Sequence, residues 1–156
     1  MTLSDQSKGV EAECVMVTPF SDEWHQARAL CYALFYEMHG LPWEVMDDGM
    51  DHNAFQVCVK TGDRVIASGR MTKLDNNRYD VTGMVVAPTL QHQGFGSIIM
   101  NRLIEIGKQQ HAVGLTLKAR TTAVHFYSKF GFVSQGDIFP STITGVPHIR
   151  MTLKFE

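Results

Sequence analysis

Residues 84–103 read MVVAPTLQHQGFGSIIMNRL, and this stretch decides the fold. Its first part is an apolar run that ends at Pro88, which predicts a β-strand. After QHQGFG, apolar residues recur every three or four positions, which predicts an α-helix that ends near Gln110. Gly94 and Gly96 therefore stand where a strand leads into a helix. Glycine at such a place allows something to approach the backbone closely, either a ligand or a neighbouring side chain.

The QHQGFG segment has the chemistry of a phosphate-binding loop. The first N–H groups of a helix lack partners within it and carry a partial positive charge. Without Cβ atoms at the two glycines, backbone amides alone can wrap a pyrophosphate. The predicted phosphate-binding residues are Gln91, His92, Gln93, Gly94, Phe95, Gly96 and Ser97. The alternative is that the glycines only permit tight packing between strand and helix.

Two other glycine-rich phosphate sites are disfavoured by the same segment. The sequence lacks the third glycine and the acidic ribose-binding residue of a dinucleotide-binding oxidoreductase. It also lacks the Gly-Lys-Ser/Thr of a P-loop.

Composition excludes several classes of protein. The chain has 156 residues, 44% of them hydrophobic and 19% charged, as is usual for one globular domain. Its formal net charge of −2 supplies no basic field for a nucleic acid. The N-terminal sequence has no apolar core of signal-peptide length, and no apolar stretch is long enough to span a membrane. We therefore expect a cytoplasmic protein without nucleic-acid or membrane partners.

The cysteines and histidines do not predict a metal site. Cys14, Cys31 and Cys58 are odd in number, widely spaced and without a CxxC pair. We expect them to be small buried hydrophobic residues in a reducing compartment. Metal-ligand spacing is absent among the histidines, so no metal is expected; those considered are His39, His92, His111 and His125.

The rest of the sequence predicts a single α/β domain over residues 13–156, preceded by a polar, flexible tail over residues 1–12. A first strand is predicted over residues 13–18, and a first helix from the capping residue Ser21 to Gly40. The full order, β-α-(α)-βββ-α-β-α-ββ, indicates a mixed sheet of six to seven strands with helices on both faces.

Two motifs resemble those of the GNAT superfamily of N-acetyltransferases. Residues 84–103 resemble its coenzyme-A-binding motif, an apolar strand followed by Arg/Gln-x-x-Gly-x-Gly/Ala at the start of a helix. Residues 123–132, AVHFYSKFGF, resemble its second motif, Ala-x-x-Phe-Tyr-x-Lys-x-Gly-Phe. The order of elements also matches, so the resemblance covers residues 13–155. It implies an acetyl-CoA-dependent enzyme that moves an acetyl group to a primary amine of a small molecule or a protein.

The C-terminal GVPHIRM resembles a small bacterial branch of this superfamily called ElaA-like, in which Gly-Ile-Pro-His is usual. The first helix lacks that branch's Arg-x-x-x-Phe-x-x-Glu-Gln pattern and has Cys31, Phe35, Met38 and His39 there. Three further positions depart from the branch. Arg120 replaces the common Gln, His125 a Pro or Asn, and Thr82 a Glu. These departures leave the identity of the acceptor amine open.

The resemblance also implies a cofactor cleft. In this superfamily a bulge separates two neighbouring strands, and pantetheine lies in the gap like an added strand. The predicted contacts are backbone groups of Met84, Val85 and Val86, with the amide of Met84 or Val85 on the thioester oxygen. The resemblance places Arg120 and Ala123 near the pantetheine arm. It adds Phe126 and Lys129 to the cofactor-binding set, although a lysine at position 129 is equally well explained as solvated.

Tyr127 is the predicted general acid, because the resemblance places it beside the thioester sulfur. The alternative is that it packs in the core with its aromatic neighbours. Asp80, four residues before Met84, is the predicted general base, unless it is a turn or solvated residue. His148 and His52 are rival bases, and water can also relay the proton.

The loop from Trp43 to His52 is predicted to flank the acceptor. Its acidic residues suit a cationic amine, or they form a solvated acidic loop; they are Glu44, Asp47, Asp48 and Asp51. Trp43 and Tyr36 either wall a pocket or belong to the core. A non-catalytic acyl-CoA-binding or sensing protein is the rival functional hypothesis, and a homodimer through the C-terminal strands is expected by analogy alone.

Overall fold

The computed structural model describes residues 2–5 and 10–156. Eight strands form one sheet in the spatial order β1-β2-β3-β4-β5-β6-β8-β7, and three α-helices pack against it. The strands are β1 (Thr2–Asp5), β2 (Val10–Met16), β3 (Ala54–Thr61), β4 (Arg64–Lys73), β5 (Arg78–Val86), β6 (Gly114–Arg120), β7 (Val133–Pro140) and β8 (Pro147–Lys154). The α-helices are α1 (Asp22–Cys31), α2 (Phe95–Gln109) and α3 (Val124–Ser128).

The pairing of the strands confirms the predicted mixed sheet. All neighbouring strands are antiparallel except β5 and β6, which are parallel. Parallel neighbours need a crossover connection, and α2 supplies it. The predicted glycine segment therefore lies at the start of the crossover helix.

Helices cover both faces of the sheet, as predicted. On β3, Val57 and Val59 belong to one core cluster with α2, whereas Cys58 between them belongs to a second cluster with α1. This follows from the alternation of side chains along a strand. Burial of the apolar face of α2 anchors the helix on the sheet; Ile99, Met100 and Leu103 there are fully buried.

The N-terminal region differs from the prediction. Residues 2–5 form β1, which pairs with β2, and β2 begins at residue 10 instead of 13. The sheet therefore has one strand more than the six to seven predicted. An edge strand is held by backbone hydrogen bonds, so a polar sequence can form one without an apolar pattern. Met1 and residues 6–9 of the predicted tail lie outside the described residues.

The first helix also differs from its prediction. The α-helix ends at Cys31 and continues as a π-helical turn, Tyr32–Tyr36, and a 3₁₀ turn, Glu37–His39, which closes at Gly40 with φ +66°. A π turn inserts an extra residue and rotates everything that follows it. As a result Met38, which the helical spacing assigns to the apolar face, is 70% exposed.

The opposite edge of the sheet is β7, where Val133 and Ile138 are each 64% exposed. Dimerisation through these C-terminal strands stays a prediction. Within residues 2–5 and 10–156, no helix combines the length and apolarity that a membrane span requires.

Candidate active site

A gap opens between the parallel strands β5 and β6. The two strands pair from Arg78 and Gly114 to Val81 and Leu117, and pairing stops there. Both strands continue beyond that point, β5 to Val86 and β6 to Arg120. In that region β6 stays paired with β8. The upper part of β5 therefore carries backbone groups on one side that no described strand pairs with.

A β-bulge in β5 causes the separation. Val85 lies opposite Ser68 and Thr82 opposite Arg70, so Gly83 and Met84 together face one residue of β4. An extra residue of this kind bends the strand and increases its twist. Gly83 has φ +65°, a left-handed conformation that favours glycine.

Backbone alternation decides which groups face the gap. The Ala87 N–H donates to the Ile66 carbonyl on β4, at 2.8 Å. Because successive backbone groups of a strand point to opposite sides, those of Val86 and Met84 point away from β4, into the gap. Val85, the third predicted contact, points its backbone towards β4, and its residue is 3% exposed.

The gap leads into a cleft of about 290 Å³, which we call the inter-strand cleft. Five of the predicted site residues line it. They are Asp80, Met84, Arg120, Ala123 and Tyr127. The structure therefore brings together residues that are up to 47 positions apart in the sequence, from 80 to 127.

A second cleft of about 460 Å³ adjoins the first, between α1, the π turn and the sheet. We call it the helix-side cleft. The residues that line both clefts are Phe35, Tyr36, Thr82, Gly83, Lys118, Ser141 and His148. Tyr36 thus belongs to a pocket wall. His52 lines neither cleft, and its ring lies 5.2 Å from that of Phe20.

Tyr127 combines the two predicted environments. Its ring packs edge-on against Phe126 and Phe132, with centroids 5.1 and 5.9 Å away. The same residue lines the inter-strand cleft. Burial raises the pKa of Tyr127 to about 12, so the phenol stays protonated at neutral pH.

Asp80 lies on β5 and lines the inter-strand cleft. Burial raises the pKa of its carboxyl group above the usual value, although the positive charges of Arg150, Lys118 and Arg70 act in the opposite direction. A weaker acid is a better proton acceptor once it is ionised.

His148 is another titratable side chain, and it lines both clefts. Its Nδ1 lies 2.7 Å from the carbonyl oxygen of Val146, so the Nδ1 atom carries a proton and donates it in this hydrogen bond. In the neutral ring, Nε2 is then the free acceptor.

The two glycines of QHQGFG have different roles. Gly94 is the N-cap of α2 with φ +89°, and a Cβ atom there would meet nothing within 4 Å. Gly96 is packed, because a Cβ atom would lie 3.2 Å from the Phe126 ring. Gly94 therefore leaves open space at the helix start, whereas Gly96 allows α2 to approach an aromatic side chain.

The other predicted phosphate-binding residues lie outside both clefts, around the start of α2. Residues 91–94 are exposed, and the Gln91 side-chain amide donates to the Val86 carbonyl at 3.3 Å. Lys129 lies nearby, with its Nζ 5.3 Å from the centre of the Phe126 ring. The gap and the helix start are therefore adjacent, joined by Val86.

Three of the four carboxylates of the acidic loop are held in ion pairs, while Glu44 is exposed. Arg28 pairs with Asp47 at 2.7 Å. Arg70 pairs with Asp48 and also with Asp51, the latter at 3.2 Å. Although burial opposes it, the hydrogen bond from Arg70 lowers the pKa of Asp48. Three carboxylates of the loop are thus held by two guanidinium groups.

Trp43, also in this loop, stacks on Tyr32 with centroids 4.3 Å apart and lies outside both clefts.

Cys58 is buried, and Cys14 and Cys31 are half-buried free thiols. Burial raises the pKa of Cys31 and of Cys58 to about 12. No three His, Cys, Asp or Glu side chains are grouped for a metal ion in the described ranges.

Residues 19–132 match the sequence profile of the acetyltransferase (GNAT) family. The chain belongs to this family. YjcF of Bacillus subtilis, named as an uncharacterised N-acetyltransferase, is 26% identical to this GNAT chain over 120 residues, which cover 76% of this chain and 83% of YjcF. The protein is therefore an acyltransferase.

Solved structures share the fold of this GNAT acyltransferase. ElaA of Escherichia coli superposes with a TM-score of 0.74 at 21% identity, over 92% of this chain and 98% of ElaA. An aminoglycoside 6′-N-acetyltransferase complexed with coenzyme A superposes with a TM-score of 0.75 at 14% identity, over 91% and 96% of the two chains. At these identities the likeness concerns the fold, and it confirms the predicted GNAT-type α/β architecture.

Several residues that shape the site escaped sequence analysis. Gly69 and Gly83 set the bulge, and an isolated glycine within a strand pattern is the signal that could have revealed them. Phe35 lies in the π turn and lines both clefts. Lys118 lines both clefts, but a single lysine in a strand carries no local signal of that placement.

Proposed function

We propose that this protein transfers an acetyl group from acetyl-CoA to a primary amine by direct attack of the amine on the thioester. The gap between β5 and β6 carries the proposal. Backbone groups of Met84 and Val86 point into it without a strand partner, and a pantetheine arm with its two amides can bind there as an added strand. The fold shared with a protein complexed with coenzyme A supports this choice of donor.

In this proposal the start of α2 binds the pyrophosphate. Open space at Gly94 and the unpaired first N–H groups of the helix form the cradle. Loop residues 91–93 and the Ser97 hydroxyl extend it. Phe126 and Lys129 flank this end of the cofactor, and Arg120 and Ala123 contact the pantetheine arm. The Val86 backbone joins the two sites, which supports one continuous ligand.

The chemical step needs an oxyanion donor and an acid. The Met84 amide, which faces the gap, donates to the thioester oxygen as negative charge develops there. A C–N bond forms, the C–S bond breaks, and the departing thiolate takes the phenolic proton of Tyr127. Burial keeps that proton in place until the thiolate appears beside it.

The proton lost by the amine needs an acceptor. We propose Asp80, since it lines the inter-strand cleft and its raised pKa favours proton uptake. His148 is the alternative, because its Nε2 is the free nitrogen and the residue lines both clefts. From either group the proton returns to Tyr127 through solvent, which completes the cycle.

Calorimetric titration with acetyl-CoA, with NAD and ATP as controls, is the first test. We expect saturable binding of acetyl-CoA alone, followed by release of coenzyme A thiol when an amine panel is added. Binding without turnover on any amine would indicate a non-catalytic acyl-CoA-binding protein. No binding by the folded protein would show that the glycines serve packing only, and the proposal would fail.

A further inference from the structure

The charges around the two clefts are unevenly distributed. On the loop side, the guanidinium groups of Arg28 and Arg70 are occupied by Asp47, Asp48 and Asp51. That wall of the helix-side cleft therefore holds its cations in ion pairs, and any surplus of charge there is negative.

The β6 side is the opposite case. Lys118 lines both clefts, and no carboxylate among the described residues lies within ion-pair distance of it. Arg120, two residues on, lies over the Phe35 ring, with its guanidinium carbon 4.6 Å from the centroid. Asp80 is the one carboxylate that lines the inter-strand cleft.

Lys118 also lies directly opposite a second cation. It pairs in register with Arg150 of β8, and the guanidinium of Arg150 donates to the Thr116 hydroxyl at 3.0 Å instead of to a carboxylate. Like charges directly opposite one another on a sheet are destabilising. Lys118 and Arg150 therefore both act on Asp80 of the inter-strand cleft, and neither makes an ion pair with any carboxylate of the described residues.

The proposed donor does not account for this charge. Its phosphates lie at the start of α2, beyond Val86, and its thioester end is uncharged. We propose that the acceptor is a small amine that also carries a carboxylate, and that Lys118 binds this carboxylate with Arg150 adding positive charge. This inference rests on the proposed function, and it names the substrate class of the same site.

Matched acceptors test it. The panel consists of α-amino acids, each with its carboxamide and its decarboxylated amine, at saturating acetyl-CoA, with rates corrected for the unprotonated fraction of each amine. We expect the wild-type kcat/KM to favour the carboxylate by roughly two- to fivefold, since Lys118 is exposed and an exposed charge pair is worth up to about 1 kcal/mol. In Lys118→Met the preference should fall towards one, mainly through KM, whereas Lys118→Arg should keep it.

Lys73→Met is the matched control, because Lys73 is an exposed lysine of β4 outside both clefts. It should leave the preference unchanged. Equal or better turnover of the decarboxylated amines, or an unchanged preference in Lys118→Met, overturns the inference and leaves the proposed function standing. A folded protein that binds acetyl-CoA but acetylates no carboxylate-bearing amine overturns it as well. If the folded protein fails to bind acetyl-CoA, both this inference and the proposed function are overturned.

Discussion

Gly69 and Met84 face each other across β4 and β5 at the bulge that opens the inter-strand cleft. A Cβ atom on Gly69 would lie 2.6 Å from the Met84 sulfur and equally close to Cγ2 of Ile99 on α2. The glycine therefore allows the bulge and the crossover helix to pack at one point.

Gly69→Ala should destabilise the protein by about 1–3 kcal/mol, because the added methyl group overpacks the bulge. It should also weaken acetyl-CoA binding, since Met84 must shift. Urea unfolding and calorimetry measure the two effects. Gly62→Ala is the control: Gly62 has φ +57° and open space around its Cα, so the change should cost roughly 1 kcal/mol of stability and leave binding intact. Unaltered binding in Gly69→Ala would contradict the placement of the cofactor at the bulge.

Gly94→Ala should separate phosphate binding from packing. The substitution places a methyl group in the open space at the start of α2 and strains a backbone at φ +89°. We expect the affinity for coenzyme A to fall about tenfold or more, an estimate based on loss of a helix-terminus anion site. Affinity for pantetheine, which lacks the pyrophosphate, should change little. If the affinities for coenzyme A and for pantetheine fell equally, the phosphates would not bind at the start of α2.

Tyr127→Phe should lower kcat by roughly 10²- to 10⁴-fold, the usual contribution of a general acid. The KM for acetyl-CoA should hardly change, because the ring still packs against Phe126 and Phe132. Steady-state kinetics with a reactive amine measure both constants. The control is Tyr32→Phe, which removes a hydroxyl that donates to the Leu41 carbonyl outside the clefts. Wild-type turnover in Tyr127→Phe would exclude the phenol as the acid.

Tyr127 also predicts how stability depends on pH. Its folded-state pKa, about 12, lies above the ordinary value of 10. The unfolded chain therefore loses the phenolic proton first as the pH rises, and the free energy of unfolding should decrease between about pH 10 and 12. Below about pH 10 the phenol is protonated in both the folded and the unfolded state, so its titration should not change the free energy of unfolding there. Denaturant unfolding of wild type and Tyr127→Phe across this range isolates the contribution; parallel curves would show that the phenol is not buried in solution.

Asp80→Asn and His148→Gln should identify the base. The pKa of Asp80 is raised, so wild-type activity should fall with acidity at a pH above the usual range of a carboxyl group, as the carboxylate becomes protonated. In Asp80→Asn this acid limb should disappear and kcat/KM should drop. The pH profile of kcat/KM measures both. A normal profile in Asp80→Asn together with a large loss in His148→Gln would assign the proton to the Nε2 atom of His148.

Local patterns were sufficient for the elements that carry the two motifs. The strand before Pro88 and the helix after QHQGFG both lie close to their predicted positions. Glycine, proline and apolar periodicity act on the neighbouring few residues, so a single sequence contains this information. The polar N-terminal strand gave no such signal, because an edge strand needs only backbone partners.

What the sequence by itself determined is the order of elements from β2 onward, the helix start at Gly94 and the placement of Tyr127 after β6. Only the tertiary structure decided where the gap opens, that Met84 and not Val85 faces it, and that the acidic loop is held by Arg28 and Arg70. These features depend on strand register and on ion pairs between residues about 20 positions apart, such as Arg70 and Asp48. Such contacts form only when the whole sheet is assembled, and no local pattern specifies the partner.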